Sequence, residues 1–146
     1  MINVTYIISD IDKAIAFEWI VKHIDKTKIK LSFILINCQN SYLINYLIEH
    51  KISVYNINCK NKLSYLQAIF KCITFLKRLN TDIVHCHLVK ANLIGLTAAK
   101  LIGIKTRIYT RHHSDFHHVY FPNAVKWDKY CNKIATKIVS ISDIVT

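Results

Sequence analysis

Glycine and proline are scarce in this sequence, which holds two of the first and one of the second in 146 residues. No Gly-x-Gly-x-x-Gly occurs, so the Cβ-free turn that lets backbone approach a dinucleotide pyrophosphate is excluded. After the first apolar run stands Ser9-Asp10-Ile11-Asp12, with no glycine at all. A P-loop and the Gly-x-Ser-x-Gly elbow are also missing, which removes the ATPases and α/β hydrolases recognisable by those turns. No Ser/Pro/Gly-rich stretch, single-charge block or internal repeat interrupts the chain, so residues 1–146 read as one domain without linker or tail. No run of 18 uncharged apolar residues exists; Leu93 to Ile104 is short and carries Lys100, so no membrane span is expected. Met1-Ile2-Asn3-Val4 lacks the basic start of a secretion signal. The five cysteines (Cys38, Cys59, Cys72, Cys86, Cys131) form an odd set without Cys-x-x-Cys. That usage fits reduced thiols in a cytoplasm, mostly as small core residues.

What is present is apolar residue and positive charge. At 52% hydrophobic the chain can bury one sizeable core. Lys and Arg outnumber Asp and Glu by 20 to 9, a net +11 that attracts phosphates or anionic lipid. The lysines are spread along the chain, as on an ordinary solvated face. Aromatic residues do not cluster with them in a stacking platform, so nucleic acid is not expected as a partner.

Strands and helices alternate in the pattern. Ile2 to Ser9 is a β-branched apolar run of strand length. From Asp12, read as an N-cap, Ala16, Phe17, Ile20, Val21 and Ile24 fall at helical spacing. Leu31 to Ile36 and Ile52 to Ile57 predict strands two and three around a helix over Ser41 to His50. Over Leu63 to Leu79 the stripe Leu63, Leu66, Ile69, Phe70, Ile73, Leu76 and Leu79 predicts a helix with one buried face, opposite Ser64, Gln67, Lys71 and Arg78. Asp82 to Cys86 is strand four, and Val89 to Ile102 a nearly all-apolar helix that Gly103 ends. Its Ala91, Gly95 and Ala99 make a small-residue face able to press against a sheet. Thr106 to Thr110, a helix over Ala124 to Thr136 and strand six over Lys137 to Ser142 complete the order. Such alternation predicts an α/β fold, a Rossmann-like, doubly wound, mainly parallel sheet of about six strands with helices on both faces. Ligands then bind beyond the carboxyl ends of the strands, near Ser9, Asn37, Asn58, His87 and Thr110.

Two polar clusters break the strand pattern at that edge. His85-Cys86-His87 places two histidines on one strand face. Two ligands are too few for a metal, so His85 reads as a packing residue and His87, at the strand's mouth, as a functional candidate. Strand five runs into Thr110-Arg111-His112-His113-Ser114-Asp115-Phe116-His117-His118. By composition three readings stand level: a zinc site, an anion or sugar site, or a histidine-rich surface loop without function.

Taken in order and spacing, Asp82-Ile83-Val84-His85-Cys86-His87, Ala91-Asn92-Leu93-Ile94-Gly95, Ala98-Ala99, Gly103-Ile104, Ile108-Tyr109-Thr110-Arg111-His112 and Ile138-Val139-Ser140-Ile141-Ser142 resemble the amino-terminal domain of family 4 glycosyltransferases of the GT-B fold. The resemblance covers almost the whole chain in element order and is most specific between Asp82 and Ser142. It implies a retaining enzyme that moves a sugar from a nucleotide-sugar to an acceptor held in a cleft between two Rossmann-like domains. His112 matches the family's histidine after strand five in a Thr-x-His setting, and is implied as the catalytic residue, hydrogen bonding across the cleft. Arg111 and His113 flank it as implied acceptor-binding residues, able to hold a phosphate or sugar hydroxyl. Asp10, His87 and Asn92 complete the implied acceptor set. The resemblance implies no metal and no cofactor, the nucleotide-sugar being a co-substrate bound mainly by a carboxy-terminal domain.

Implied partners are therefore the nucleotide-sugar, a glycan or lipid-linked acceptor of cell-envelope or polysaccharide biosynthesis, and that second domain, in the same or a partner chain. The implied location is the cytoplasm, peripheral at the inner face of the cell membrane, where the basic surface fits anionic lipid. Two departures stand out. Many members carry a glycine pair after strand one, where this chain has Asp10 to Ala14. The sequence also stops at Thr146, just after strand six, so this chain alone should not catalyse transfer. The alternative is a non-catalytic or metal-binding α/β module that uses the His112 to His118 loop.

Overall fold

The computed structural model describes residues 1–61, 63–112 and 125–141. Within them lie strands β1 (Ile2–Ser9), β2 (Ile29–Ile36), β3 (Ser53–Ile57), β4 (Ile83–His87), β5 (Thr106–Arg111) and β6 (Lys137–Ser140). Helices α1 (Ile15–His23), α2 (Tyr42–Glu49), α3 (Ser64–Arg78), α4 (Val89–Leu101) and α5 (Val125–Ile134) alternate with them. The expected element order holds, with most ends moved by one or two residues. Residues 113–124, which include His113, His117 and His118, lie outside the described residues, as do the expected end of strand six and residues 142–146.

The six strands form one sheet in the order β3-β2-β1-β4-β5-β6, every neighbouring pair parallel. Parallel strands covered on both faces bury nearly every residue. Accordingly, Leu31, Phe33, Ile34, Leu35 and Ile36 of β2 are all buried, and so are Ile7 and Ile8 of β1. One core, with Phe17, Val21, Leu43 and Leu47, lies under α1 and α2. The other, with Ala68, Cys72, Leu76, Ala91, Ile94, Cys131 and Ile134, lies under α3, α4 and α5. All five cysteines are free and buried. Chain order reverses direction between β1 and β4, so their carboxyl ends flank the crevice where such sheets take ligands.

Two local expectations are corrected. Asp12 does not cap α1, whose N-cap is Ala14 without a side-chain hydrogen bond. Instead its Oδ1 accepts from Tyr42 N at 3.0 Å and its carbonyl from Leu43 N at 3.0 Å, so it serves the start of α2 together with the Ser41 hydroxyl. A cap needs only a donor within reach, and the β1–α1 loop passes over the amino end of α2.

The buried face of α3 is rotated from the expected stripe: Ile69, Ile73 and Leu76 meet the core as expected, and Gln67, Lys71 and Arg78 are exposed. Leu63, Leu66 and Phe70 are 86%, 66% and 68% exposed, while Ala68, Cys72 and Leu76 are buried. Small residues allow a closer helix approach, so α3 seats its Ala68–Cys72–Leu76 line and leaves Leu63, Leu66 and Phe70 outside.

Helix α4 sits closest of all. A Cβ on Gly95 would lie 2.7 Å from both Cys86 Sγ and Ile7 Cδ1, below any real contact distance. The helix ends in a Schellman motif: Gly103, at φ +78°, donates to Lys100 O, and Ile104 N donates to Ala99 O. Gly95→Ala gains helix propensity but drives a methyl into the β1–β4 centre. We expect a net loss of about 1–2 kcal/mol, read as a lower urea midpoint at unchanged slope.

Candidate functional site

The crevice is built from the carboxyl ends of β1, β2, β4 and β5. β1 ends in buried Ser9, whose Oγ accepts from Ala91 N of α4 at 3.3 Å. Asp10 follows at φ +53°, a left-handed conformation that Asp tolerates better than most residues. Here Asp10 takes a backbone conformation usually left to glycine. Its Oδ1 pairs with Lys90 Nζ at 2.9 Å and accepts from Asn37 Nδ2 at 3.3 Å. Asn37, also at positive φ (+57°), in turn accepts from Cys59 N at 2.7 Å. One carboxylate thus ties the ends of β1 and β2 to the first turn of α4. The pair with Asp10 raises the Lys90 pKa further, so its ammonium stays charged. Neither Lys90 nor Asn37 was a sequence candidate, although Asn37 begins one of the edge loops; Lys90 is one lysine among many until the fold sets it beside Asp10.

At the other side of the crevice four rings meet. Tyr6, His85 and His87 share the α1–α2 face of the sheet, with ring centroids 5.1 Å apart for Tyr6 and His85 and 4.3 Å for the two histidines. Phe17 meets His87 edge-on at 4.9 Å. This packing pushes the His87 pKa down to about 3 and that of His85 to about 4, first by desolvation and then by the neighbouring imidazoles. Both are neutral at pH 7. His85 Nε2 shares a hydrogen bond with Thr110 Oγ1 at 2.8 Å, the packing role expected for it.

His112 follows β5 directly, and its Nε2 stands 3.5 Å from His87 Nδ1. His87 Nε2 is buried and meets no partner among the described residues. An orphaned N–H is rarer in protein interiors than an orphaned acceptor, so the His87 proton belongs on Nδ1, facing His112. Nε2 of His112 then stands as the acceptor of that proton. The β4–β5 register produces this pairing, with His87 opposite Thr110.

Of the other candidates, Arg111 is the last residue of β5 and pairs in register with Ser140. Asn92 lies in the first turn of α4, its Oδ1 buried without a partner among the described residues. His113 lies outside those residues. Leu88, between His87 and α4, adopts φ +74° and ψ 160°, a region favoured by glycine that costs a side-chain-bearing residue about 1–3 kcal/mol. Strain of this size marks the β4–α4 turn as a position held by its surroundings. Among the described residues no group of three His, Cys, Asp or Glu could hold a metal ion. His113, Asp115, His117 and His118, on which the zinc reading depends, lie outside them.

Fold and site together define the amino-terminal half of a GT-B fold, a Rossmann-like unit with its crevice at the β1–β4 reversal. The chain belongs to the glycosyl transferase 4-like family, whose pattern matches residues 7–145. Among solved structures it is similar to Acinetobacter baumannii MurG, at TM-score 0.74 and 14% identity over 100% of this chain and 43% of that one. It is also similar to the apo form of the lipopolysaccharide outer core galactosyltransferase WaaB, at 0.73 and 18% over 99% of this chain and 40% of that one. The S. aureus MnaA–UDP structure is matched at 0.75 and 17%, again over 99% and 40%. The chain therefore spans about two fifths of the length of these structures. No curated protein matches the chain by sequence. No helix among the described residues is long and apolar enough to cross a membrane.

The depressed histidine pKa values make stability depend on pH. An unfolded imidazole takes up a proton as pH falls through 6.5, whereas folded His85 and His87 stay neutral until about 4 and 3. Stability is thus fully present above pH 6.5 and declines below it, by up to about 2 kcal/mol for each ring at pH 5. Melting temperature should drop between pH 7 and pH 5, and His87→Phe should lessen that drop. Equal melting at both pH values would mean that the rings are not held neutral.

Proposed function

We propose that this chain is the acceptor-side half of a retaining glycosyltransferase, which moves a sugar from a nucleotide-sugar to a glycan or lipid-linked acceptor of cell-envelope or polysaccharide biosynthesis. The observation that carries the reading is the family match over residues 7–145. The position of His112, at the ligand edge and against a neutral His87, is consistent with it. On this reading His112 hydrogen bonds across the cleft to the donor sugar or acceptor, and a positioned donor of this kind supplies about 3 kcal/mol of transition-state stabilisation. Arg111 and His113 bind phosphate or hydroxyl groups beside it. Asp10, His87 and Asn92 shape the acceptor side of the crevice, and Lys90 joins them through its pair with Asp10.

The nucleotide-sugar is a co-substrate, bound mainly by a carboxy-terminal domain in the same or a partner chain. Similarity to the MnaA–UDP structure and to WaaB supports a nucleotide-sugar as the substrate class. The work is done without metal or other cofactor, on the cytoplasmic side of the cell membrane.

The test is sugar transfer from labelled nucleotide-sugars to membrane acceptors by this chain joined to its carboxy-terminal domain. His112→Ala should lower turnover about 100-fold with unchanged melting temperature. Normal turnover in that variant would remove His112 from the site. Epimerisation of the nucleotide-sugar in place of transfer would replace the reading, because UDP-GlcNAc 2-epimerases share this fold.

A further inference from the structure

The charged pair at the β1 edge is held more rigidly than an exposed ion pair needs to be. Asn37 uses both ends of its amide on the backbone of Cys59, with Oδ1 accepting from Cys59 N at 2.7 Å and Nδ2 donating to Cys59 O at 2.9 Å. An amide fastened at both ends cannot turn, and the same Nδ2 donates to Asp10 Oδ1 at 3.3 Å. Asp10 N donates to Ile36 O at 2.9 Å, so the backbone that carries the carboxylate is fixed as well. Lys90 Nζ, from the first turn of α4, donates to the same Oδ1 at 2.9 Å. An ion pair this exposed contributes little to folding, so stability alone does not account for such bracing.

Both contacts converge on one oxygen of the carboxylate. Among the described residues Oδ2 accepts no hydrogen bond, and Lys90 uses one of the three donors of its ammonium. The pair stays open to solvent, the Asp10 side chain 45% exposed and that of Lys90 35%. The Tyr65 phenol of α3 lies within electrostatic reach of both, and burial raises its pKa, so it keeps its proton and can donate. The edge therefore offers a fixed acceptor and free donors on groups whose charges cancel.

What such an edge binds follows from that cancellation. An anionic group would meet a free carboxylate oxygen and an ammonium already neutralised, so a phosphate is turned away. A neutral diol suits both members: one hydroxyl donates to Oδ2 while its neighbour accepts from Nζ, and hydrogen bonds to ionised groups are the stronger kind. We infer that Asp10 and Lys90 select the acceptor, holding two adjacent hydroxyls of a neutral sugar ring and excluding an anionic group from that position. Asn37 is the positioning residue that keeps the carboxylate in place. The inference rests on the acceptor-side reading above and narrows its acceptor to one whose receiving end is an uncharged pyranose.

Titration of the isotope-labelled chain, followed through its amide chemical shifts, tests it with the methyl glycosides of glucose, galactose and mannose and with inorganic phosphate. The Asp10, Asn37 and Lys90 amides should move with at least one glycoside and stay still with phosphate. Asp10→Gly keeps the left-handed turn, which glycine adopts freely, and releases the Lys90 ammonium. That variant should bind phosphate about tenfold more tightly than wild type and lose the glycoside by a similar factor. Asp10→Asn, which also tolerates the turn, should shift the preference in the same direction with the side-chain shape retained. Lys90→Met should weaken the glycoside about tenfold without admitting phosphate. A merely structural pair would lower the melting temperature of these variants and leave the preference unchanged. That result, phosphate binding at these amides in wild type, or no shift with any glycoside would each overturn the inference. The titration needs neither nucleotide-sugar nor carboxy-terminal domain. Absent sugar transfer with an intact preference switch therefore sinks the proposed function alone, and transfer with a failed switch sinks this inference alone.

Discussion

The close approach of α4 to the middle of the sheet is the constraint on which the rest depends. Gly95 lets the helix axis come down onto Ile7 and Cys86, where a single methyl would collide with both. With α4 so low, β4 must pass into it without a spacer, and Leu88 takes the glycine-like conformation that makes the turn. The same descent brings Ala91 N within reach of the Ser9 hydroxyl and Lys90 within reach of Asp10. One missing side chain therefore joins the packing of the core to the charge pattern of the crevice.

The two sides of the sheet divide the labour. Under α1 and α2 the core closes over Tyr6, His85 and His87 and keeps them dry enough to stay neutral. Under α3, α4 and α5 the core is sealed by smaller residues, Ala68, Cys72, Ala91, Ala98 and Ala99. Small residues there let the helices lie close, but they leave Leu63, Leu66, Phe70 and Trp127 no interior to enter. Those apolar side chains thus stay on the outside of that face.

The alternation of strands and helices was legible because β-branched runs of strand length and helical periods alternate without interruption, and doubly wound parallel sheets follow from that order. The direction of the α3 stripe was legible only in part: Ile69, Ile73 and Leu76 face the core, and Leu63, Leu66 and Phe70 do not. Periodicity finds an apolar face, but the closeness of Ala68 and Cys72 to the sheet decides which face is buried. Asp12 shows the same limit: a side-chain oxygen signals a cap, and only the path of the loop tells which helix receives it. In the crevice, His112 and His87 could be picked out singly by their place at strand ends. Their contact depends on the register of β4 against β5, which no local pattern carries. Asp10 was marked by the lack of glycine, yet its positive φ shows that an Asx side chain met the same backbone demand.

That substitution changes the character of the edge. Where a glycine turn exposes bare N–H groups, the Asp10 turn presents a carboxylate already engaged by Lys90 and Asn37. The crevice then has a charged, mutually compensated pair on its β1 side and the neutral imidazoles of His85 and His87 on its β4 side. Such an edge suits hydroxyl-rich groups, which need donors and acceptors without a large net field. Tyr6 and Phe17 pack against the His87 ring, and its buried, unpartnered Nε2 leaves the proton on Nδ1, facing His112. On the proposed reading, a His112 ring held in place by that contact requires no rearrangement when charge develops near it, which is the condition under which a hydrogen bond contributes most to a transition state.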